Sequence, residues 1–452
     1  MQKNEIYTVK IEDLTAEGNG VCRIDGMAVF VPETAVGDEL KVKIVKVLKN
    51  YAFGITEEII APSPDRIESD CNCHRQCGGC TFRHISYEKE LELKANIVKN
   101  AFERIGKLSP VFLPAIGGDS RTRYRNKAQY PVSADKDGRL ICGFYAKRSH
   151  RIVPIEDCLL QPEIFKKAVK IIFDYAQEKK ISAYNEEKGT GILRHIYLRK
   201  GHYSGEMMVC LVVRKPVERQ LRGLVKRITE ELPCVKSIVM NINPRKTNVI
   251  LGDENVTLWG SDNIKDTMCG NEISISPLSF YQVNTPQAER LYGAAKEFAG
   301  LTGNERLLDL YCGAGTIGLS MADRAGEILG VEVIPEAIEN AKENAERNGI
   351  ENANFICGDA GETAKKLADE NMLPDVIVAD PPRKGCDIHT IEAICKMSPE
   401  RIVMVSCNPA TAARDCALLS ERGYSTEKVQ PVDLFPGTGH VETVVLMSRV
   451  EK

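Results

Sequence analysis

The amino-acid sequence predicts an α/β protein of three domains: a small N-terminal β-barrel, a central α+β domain and a C-terminal Rossmann-like domain. Strand and helix patterns alternate after Leu301, which is typical of a parallel sheet covered by helices. Residues 6–60 instead contain only short β-rich runs. The region between these two parts is basic. We place the domains at 1–60, 61–275 and 276–452.

The composition is that of a globular protein. Of the 452 residues, 43% are hydrophobic and 27% are charged, which is ordinary for a chain with a well-formed core. The first five residues, Met1-Gln2-Lys3-Asn4-Glu5, lack the apolar stretch of a signal peptide, and no run of about 18 apolar residues occurs. We therefore expect a cytoplasmic protein without a membrane span. In that reducing compartment, sixteen cysteines favour metal binding or catalysis over disulfides.

Charge is distributed unevenly along the chain. The net charge is about −3 for residues 1–60, about +10 for residues 61–275 and about −10 for residues 276–452. Such an asymmetry is typical of a segment that binds a polyanion. Solvated surface lysines and arginines would give the same counts, so charge alone leaves both interpretations open.

The N-terminal β-barrel is predicted from four alternating or β-branched runs. They cover residues 7–11, 27–31, 39–47 and 52–60, with glycines between them and no helix-length periodicity. Small closed barrels of the oligonucleotide-binding type often bind RNA. Here the contacts would have to come from a local basic edge, formed by Lys41, Lys43, Lys46 and Lys49. A purely structural barrel is the alternative.

Four cysteines follow within ten residues, interleaved with glycines, after a proline-rich linker at 62–64. This density is a specific indication of a metal site. Cys73-x3-Cys77-x2-Cys80 matches the three-cysteine loop of radical S-adenosylmethionine enzymes. Cys71-x5-Cys77-x2-Cys80 needs a distant fourth ligand, for which Cys158 is the leading candidate. The spacing favours an iron–sulfur cluster. Zinc stays an alternative, because four thiolates also suit zinc.

The central region combines basic and aromatic side chains. After a helical pattern at 87–105, such clusters occur at residues 121–127, 145–151 and 194–199. Arginines contact phosphates and aromatic rings stack on unpaired bases, so the combination fits RNA better than a small anion.

The C-terminal region begins with a buried strand that runs into Gly313-x-Gly315-x-x-Gly318. Between a strand and a helix, this motif predicts a binding site for a nucleotide-type cofactor, of which NAD is one example. The next strand ends at Glu332, which is suited to ribose hydroxyls. Seven predicted strands, ending in a pair near residues 429–433 and 441–447, suit a methyltransferase sheet better than a dehydrogenase.

The thiol of Cys407 follows the apolar strand of Met404-Val405-Ser406, and Asn408-Pro409 begins a helix pattern. Such a strand tip is where α/β sheets bind ligands, so we predict a covalent nucleophile. Upstream, Asp380-Pro381-Pro382 occurs in enzymes that methylate amino nitrogens, but those enzymes need no thiol. Carbon 5 of a pyrimidine becomes nucleophilic only after a thiolate adds to carbon 6. The cysteine therefore indicates carbon methylation.

Carbon methylation also needs a base, because carbon 5 keeps its proton after the transfer. Glu442, in His440-Val441-Glu442 on the last predicted strand, is the candidate. The alternatives are a structural carboxylate at Glu442 and a buried core thiol at Cys407.

Taken together, these motifs resemble the RNA uracil-5-methyltransferase family over nearly the whole chain, and its 23S ribosomal RNA branch in particular. The motifs are Cys71-x5-Cys77-x2-Cys80 with Cys158, Tyr124-Arg125-Asn126-Lys127, Phe280-Tyr281-Gln282-Val283-Asn284, Asp380-Pro381-Pro382-Arg383-x-Gly385, Ser406-Cys407-Asn408-Pro409 and His440-Val441-Glu442. One departure is Gly437, where related sequences usually have a side chain such as glutamine or histidine.

The resemblance implies a TRAM barrel, nucleophile Cys407 and base Glu442. It also implies S-adenosyl-L-methionine held by Gln282, Tyr311, Glu332 and Asp380, and a 4Fe-4S cluster on Cys71, Cys77, Cys80 and Cys158. It favours Cys71 over Cys73 as a ligand. Since the bacterial tRNA branch generally lacks both barrel and cluster, we expect 23S rRNA as the substrate.

The sequence therefore predicts a monomeric, cytoplasmic enzyme of rRNA processing that flips out a uridine and methylates its carbon 5. The alternatives are a tRNA uridine-5 or RNA cytosine-5 methyltransferase, a radical S-adenosylmethionine methylthiotransferase, and a non-catalytic iron–sulfur RNA-binding protein. The Rossmann-type half argues against the radical enzyme.

Overall fold

The computed structural model describes residues 1–450, and the Rossmann-like α/β architecture and N-terminal barrel predicted from the sequence are confirmed. No helix within these residues has both the length and the apolar character needed to cross a membrane.

The N-terminal β-sheet has six strands in the order β1-β5-β6-β4-β3-β2, and its core contains Cys22, Val29 and Val42. Gly20 is one of the glycines between the first two predicted runs, yet a strand passes through it. Gly20 fits there because a Cβ atom would lie 2.0 Å from Thr34 Oγ1. The strands are β1 (Ile6–Lys10), β2 (Asp13–Leu14), β3 (Asn19–Ile24), β4 (Met27–Pro32), β5 (Glu39–Val47) and β6 (Tyr51–Ala61).

A cysteine-rich loop, residues 62–86, leads into helix α1 (Tyr87–Ala101), which continues as one π-helical turn (Phe102–Gly106). The Ser86 hydroxyl caps the helix by accepting a hydrogen bond from the Lys89 amide at 3.3 Å. Strand β7 (Val111–Phe112) follows. Although these elements precede residue 276, Val98 and Phe102 pack in the core of the C-terminal sheet.

The central β-sheet has seven strands in the order β10-β9-β8-β11-β12-β13-β14. Two amphipathic helices pack their apolar faces into its core. The elements are β8 (Lys127–Ala134), β9 (Leu140–Tyr145), β10 (Ile152–Pro154), α2 (Glu163–Glu178), β11 (Leu193–Lys200), β12 (Met207–Val213), α3 (Glu218–Glu231), β13 (Val235–Ile242) and β14 (Glu254–Gly260). A separate hairpin, β15 (Ile264–Met268) and β16 (Asn271–Ile275), packs in the C-terminal core.

The C-terminal β-sheet has the order β19-β18-β17-β20-β21-β23-β22-β7, so β7 joins the seven predicted strands as an eighth. Strands β17 to β21 are parallel, and β23 is antiparallel. The elements are α4 (Thr285–Ala299), β17 (Arg306–Leu310), α5 (Thr316–Leu319), a 3-10 turn (Ala322–Arg324), β18 (Glu327–Glu332), α6 (Pro335–Arg347), β19 (Ala353–Cys357), α7 (Ala360–Asp369), β20 (Val376–Ala379), α8 (Ile388–Met397), β21 (Arg401–Ser406), α9 (Pro409–Ser420), β22 (Tyr424–Val432) and β23 (Glu442–Arg449).

A buried ion cluster ties α1 to the loop that precedes β23. Lys94, fully buried, donates to Glu90 at 2.8 Å and to Asp433 at 2.7 Å. Glu90 also accepts a hydrogen bond from the Gly437 amide at 2.6 Å. This cluster therefore fixes the path of the chain just before Glu442.

Replacing Lys94 with methionine is expected to destabilise the protein by about 3–5 kcal/mol, because two buried carboxylates lose their shared cation. Urea unfolding measures the change. Lys99→Met is the matched control, since Lys99 lies on the same helix in an exposed pair with Glu103; its effect should stay within about 0.5 kcal/mol. Equal effects of the two substitutions would contradict the assigned role of the cluster.

Candidate active site

The predicted site residues converge at one edge of the C-terminal sheet. Tyr311, Asp380 and Cys407 directly follow the parallel strands β17, β20 and β21, so all three lie at the carboxyl ends of neighbouring strands. Glu442 begins the antiparallel strand β23 at the same edge. The pairing of Ser406 with Thr443 places Cys407 beside Glu442.

Cys407 is half-buried between the end of β21 and the start of α9. Asn408 caps α9, because its side-chain oxygen accepts a hydrogen bond from the Ala410 amide at 3.1 Å. Its amide group donates to the Arg383 carbonyl at 3.1 Å. Burial raises the pKa of the Cys407 thiol, and Glu442 and Asp380 add to the rise, whereas Arg383 opposes it. The neighbouring guanidinium therefore favours the thiolate.

Glu442 is only 5% exposed. Burial raises its pKa to about 8, Asp380 adds to the rise, and Arg383 lowers it. Burial also raises the pKa of Asp380 to about 7. A carboxyl group with a pKa near neutrality is suited to accept a proton from carbon, because base strength then matches the working pH.

The rate of the predicted methyl transfer is expected to rise with pH across the range around 8. In their predicted roles, Cys407 acts as the thiolate and Glu442 as the carboxylate, and burial raises the pKa of both groups. The pH dependence of kcat/KM between about pH 6 and 9.5 reports groups of the free enzyme. RNA affinity measured at each pH provides the control. A rate that falls as pH rises from 6 to 8 would contradict these roles.

Arg383 lies on a loop that is fastened to α9, a feature that the sequence motif alone did not show. The carboxylate of Asp415 accepts a hydrogen bond from the Cys386 amide at 2.8 Å. The guanidinium of Arg414 donates to the Lys384 carbonyl at 2.9 Å. Gly385 has φ +79°, and a Cβ atom there would lie 2.4 Å from both Arg414 and Asp415, so only glycine fits. These contacts hold Arg383 near the thiol.

The glycine-rich turn after β17 forms a cradle for a nucleotide-type cofactor. Gly313 has φ +55°, and nothing lies within 4 Å of where its Cβ atom would be, so a ligand can approach the backbone. Glu332 is oriented by the turn, because its two carboxylate oxygens accept hydrogen bonds from the Gly313 amide at 3.2 Å and the Ile334 amide at 3.0 Å. The open backbone and the oriented carboxylate fit the ribose part of S-adenosylmethionine.

Asp309, which the sequence analysis did not identify, lies beneath this cradle and is 1% exposed. One carboxylate oxygen accepts a hydrogen bond from the Gly318 amide at 2.9 Å. The other has no partner within residues 1–450. Burial raises the pKa of Asp309 to about 7, with contributions from Asp380 and Glu332.

Of the other two predicted cofactor residues, Tyr311 directly precedes the glycine-rich turn and Gln282 lies on the segment before α4. The Tyr311 hydroxyl is 3.2 Å from Thr390 Oγ1, and its backbone has φ +65°. The Gln282 carbonyl accepts a hydrogen bond from Asn126 Nδ2 at 2.8 Å. This bond links the central domain to the segment that enters α4.

Gly437 belongs to the loop that leads to Glu442. Its carbonyl accepts hydrogen bonds from the Thr81 amide at 2.8 Å and the Phe82 amide at 3.0 Å. It has φ +82°, and a Cβ atom would come no closer than 3.6 Å to Arg83. The chain therefore has space for a side chain here, but the backbone conformation favours glycine.

Three of the four predicted cluster ligands lie near the fourth, Cys80. Burial raises the pKa of Cys80 to about 12, and Cys158, Cys77 and Cys71 add to the rise. The Cys73 sulfur has a different neighbour, since it lies 3.9 Å from the Pro154 carbonyl oxygen. Within residues 1–450, no three thiol sulfurs lie within 4.8 Å of one another. A tetrahedral zinc site would require sulfur–sulfur distances of about 3.8 Å.

Comparison with known proteins gives matches over the whole chain. The model of the tRNA (Uracil-5-)-methyltransferase family matches residues 86–450, and the TRAM domain model matches residues 2–56. A protein of Halalkalibacterium halodurans named as an RNA methyltransferase is 47% identical over 99% of this chain and 98% of its own length. One from Clostridium acetobutylicum, named likewise, is 44% identical over 100% of this chain and 99% of its own length.

Among solved structures, the fold resembles that of the Pyrococcus abyssi tRNA (uracil-54, C5)-methyltransferase in complex with S-adenosyl-L-homocysteine. The TM-score is 0.79 at 28% identity, and the alignment covers 98% of this chain and 100% of that one.

Proposed function

Since the chain belongs to the tRNA (uracil-5-)-methyltransferase family, it is an RNA methyltransferase, and we propose that it methylates carbon 5 of a uridine in 23S ribosomal RNA through a covalent intermediate on Cys407. The observation that supports this most is the position of a half-buried thiol beside a buried carboxyl group, Glu442, with the Arg383 guanidinium close to both.

In the proposed mechanism the target uridine leaves its stack, because carbon 6 is unreachable within a helix. The thiolate of Cys407 then adds to carbon 6 and makes carbon 5 nucleophilic. Bound S-adenosylmethionine supplies the methyl group to carbon 5. Glu442 removes the proton that remains on carbon 5, and the bond between carbon 6 and sulfur breaks as the double bond re-forms.

The residues proposed to hold S-adenosylmethionine are Gln282, Tyr311, Glu332 and Asp380. Glu332 is suited to the ribose hydroxyls, since its carboxylate is already oriented by two backbone amides. Asp380 lies between the cradle and the catalytic pair, close enough to raise the pKa values of both Cys407 and Glu442. We therefore infer that its carboxyl group contacts the part of the cofactor nearest the reacting carbon.

The RNA is proposed to approach across the basic face of the central domain. The Arg125 guanidinium lies over the Phe435 ring at 5.6 Å, and its Nε has no hydrogen-bond partner within residues 1–450. Burial, together with Arg199 and Arg125, lowers the pKa of Lys127 to about 8. Arg125 also contributes, with Arg383, to lowering the pKa of His440, for which burial is the main cause. These cations border the active site and suit backbone phosphates.

The cysteine-rich loop is proposed to hold a 4Fe-4S cluster on Cys71, Cys77, Cys80 and Cys158. Cys158, Cys77 and Cys71 lie near enough to Cys80 to add to the rise of its pKa, which supports a shared site for the four thiols. Arg83, which neighbours Cys80, also donates to the Arg121 carbonyl in the basic region. The cluster would then shape the RNA-binding face. Iron and sulfide contents near four per chain test its presence, and an unchanged RNA affinity after its removal from still-folded protein would contradict its role.

The choice of 23S rRNA rests on the combination of a TRAM barrel with the cysteine motif, which the bacterial tRNA branch generally lacks. A uridine in tRNA is the second candidate, because the Pyrococcus abyssi enzyme is named as a tRNA methyltransferase and aligns over its full length.

Methyl transfer to unmodified 23S rRNA and to tRNA, followed by nucleoside analysis, separates the two substrates. We expect 5-methyluridine in 23S rRNA. Transfer to tRNA alone would overturn the choice of RNA, and 5-methylcytidine would overturn the choice of base.

A further inference from the structure

Three side chains outside the active site converge between the N-terminal barrel and the cysteine-rich loop. Glu33 follows β4 of the barrel, whereas His74 and His84 belong to the loop. One ligand atom from each lies within 4.8 Å of the other two. The distances to Glu33 Oε2 are 3.2 Å from His74 Nε2 and 4.0 Å from His84 Nδ1.

Hydrogen bonds to backbone carbonyls fix which ring nitrogens face this point. His84 Nε2 lies 3.0 Å from the Thr34 carbonyl oxygen, and His74 Nδ1 lies 3.3 Å from the Cys71 carbonyl oxygen. A carbonyl oxygen only accepts, so these nitrogens must carry the hydrogens. In the neutral rings, His84 Nδ1 and His74 Nε2 therefore present lone pairs to the same carboxylate oxygen.

Three acceptor atoms face one point, an arrangement that a cation at that point would stabilise. His84 is 4% exposed, and its Nδ1 has no hydrogen-bond partner within residues 1–450. Lys147 donates to the other oxygen of Glu33, Oε1, at 2.8 Å, which orients the carboxylate and leaves Oε2 facing the histidines. Backbone carbonyls that fix the tautomer of a metal-binding histidine are the usual outer shell of such sites.

We propose that Glu33, His74 and His84 bind a divalent transition-metal ion of the zinc type, which fastens the N-terminal barrel to the cysteine-rich loop. Two imidazole nitrogens and one carboxylate oxygen are a ligand set that zinc accepts, with a water molecule in the fourth position. A tetrahedral zinc site places its ligand atoms about 3.4 Å apart, so only small side-chain movements are needed. This site uses none of the cysteines.

Zinc binding to the holoprotein, prepared anaerobically, tests the site by metal analysis and calorimetric titration. The variants are Glu33→Gln and His74→Gln, both at positions that are not fully buried. The control is His389→Gln, because His389 lies in an exposed pair with Glu392 and lacks a third ligand. Far-UV circular dichroism establishes that each variant is folded. Iron and sulfide analysis of each sample separates zinc captured by the thiols from zinc at the new site.

We expect the parent and the His389→Gln control to bind one equivalent of Zn²⁺ at this site. In Glu33→Gln and His74→Gln that equivalent should be lost or weakened at least about 100-fold. Zinc should raise the Tm of the parent but not of these two variants. Equal zinc stoichiometry and affinity in parent and both variants would overturn the proposal and reduce the contact to a hydrogen bond between His74 and Glu33.

Discussion

Cys407→Ala is expected to reduce the rate of uridine methylation by about 10⁴-fold or more, the scale seen when a covalent nucleophile is removed. Without the thiolate, carbon 5 of the pyrimidine stays unreactive. Because the side chain is small and half-buried, binding of RNA and of S-adenosylmethionine should change little. Single-turnover methyl transfer under saturating conditions measures the chemical step apart from binding.

Cys395→Ala is the matched control for this substitution. Cys395 is also half-buried and burial also raises its pKa, but it lies on α8 away from the carboxyl ends of the strands. Its variant should methylate at nearly the parental rate. Transfer by Cys407→Ala at a comparable rate would contradict the covalent mechanism and favour an RNA-binding or non-covalent role for the site.

Glu442→Gln is expected to slow turnover by about 10²–10⁴-fold, the contribution typical of a general base. Glutamine keeps the shape of the side chain but cannot accept the proton on carbon 5. The thiol then cannot leave, so the methylated RNA should remain attached to Cys407. Denaturing electrophoresis with labelled methyl groups detects this complex.

Glu427→Gln provides the control, since Glu427 is an exposed residue of β22. It should turn over normally and leave no attached RNA. If Glu442→Gln released product as fast as the parent, another group would have to be the base. If it bound RNA but formed no covalent complex, Glu442 would act before the addition step.

Much of the C-terminal fold was predictable from the sequence because its signals are local. Runs of buried β-branched residues mark the strands, and the glycine turn after β17 has a fixed spacing. Strand β7 was not predictable in this way. The strand has only two residues, Val111 and Phe112, too few to show an alternation of apolar and polar side chains. Its place beside β22 depends on contacts formed by α1.

The proposed catalytic pair, Cys407 and Glu442, could not be predicted from local sequence patterns alone. Cys407 could be identified from its position at a strand end, and Glu442 was a candidate because carbon methylation needs a base, but no local pattern showed that the two residues are neighbours. Their proximity follows from the antiparallel pairing of β21 with β23, a long-range contact that neither segment shows alone. The cofactor and cluster residues likewise remain predictions that the geometry supports.

Asp309 and the group of Glu33, His74 and His84 were missed for a different reason. Asp309 lies inside a strand, and its unpaired oxygen is visible only once the glycine turn is folded over it. In the sequence, Glu33 is separated from His74 by the whole of the barrel's last two strands, β5 and β6. Only packing of the cysteine-rich loop against the barrel brings them together.

Trapping with RNA that contains 5-fluorouridine at the target position tests the covalent mechanism most directly. Fluorine on carbon 5 cannot be removed by a base, so Glu442 cannot complete the reaction. With S-adenosylmethionine present, we predict a complex stable to denaturation that contains protein, RNA and one added methyl group, with the RNA attached to Cys407 on peptide mapping. Absence of a covalent complex with an RNA that binds, or attachment to another residue, would contradict the mechanism.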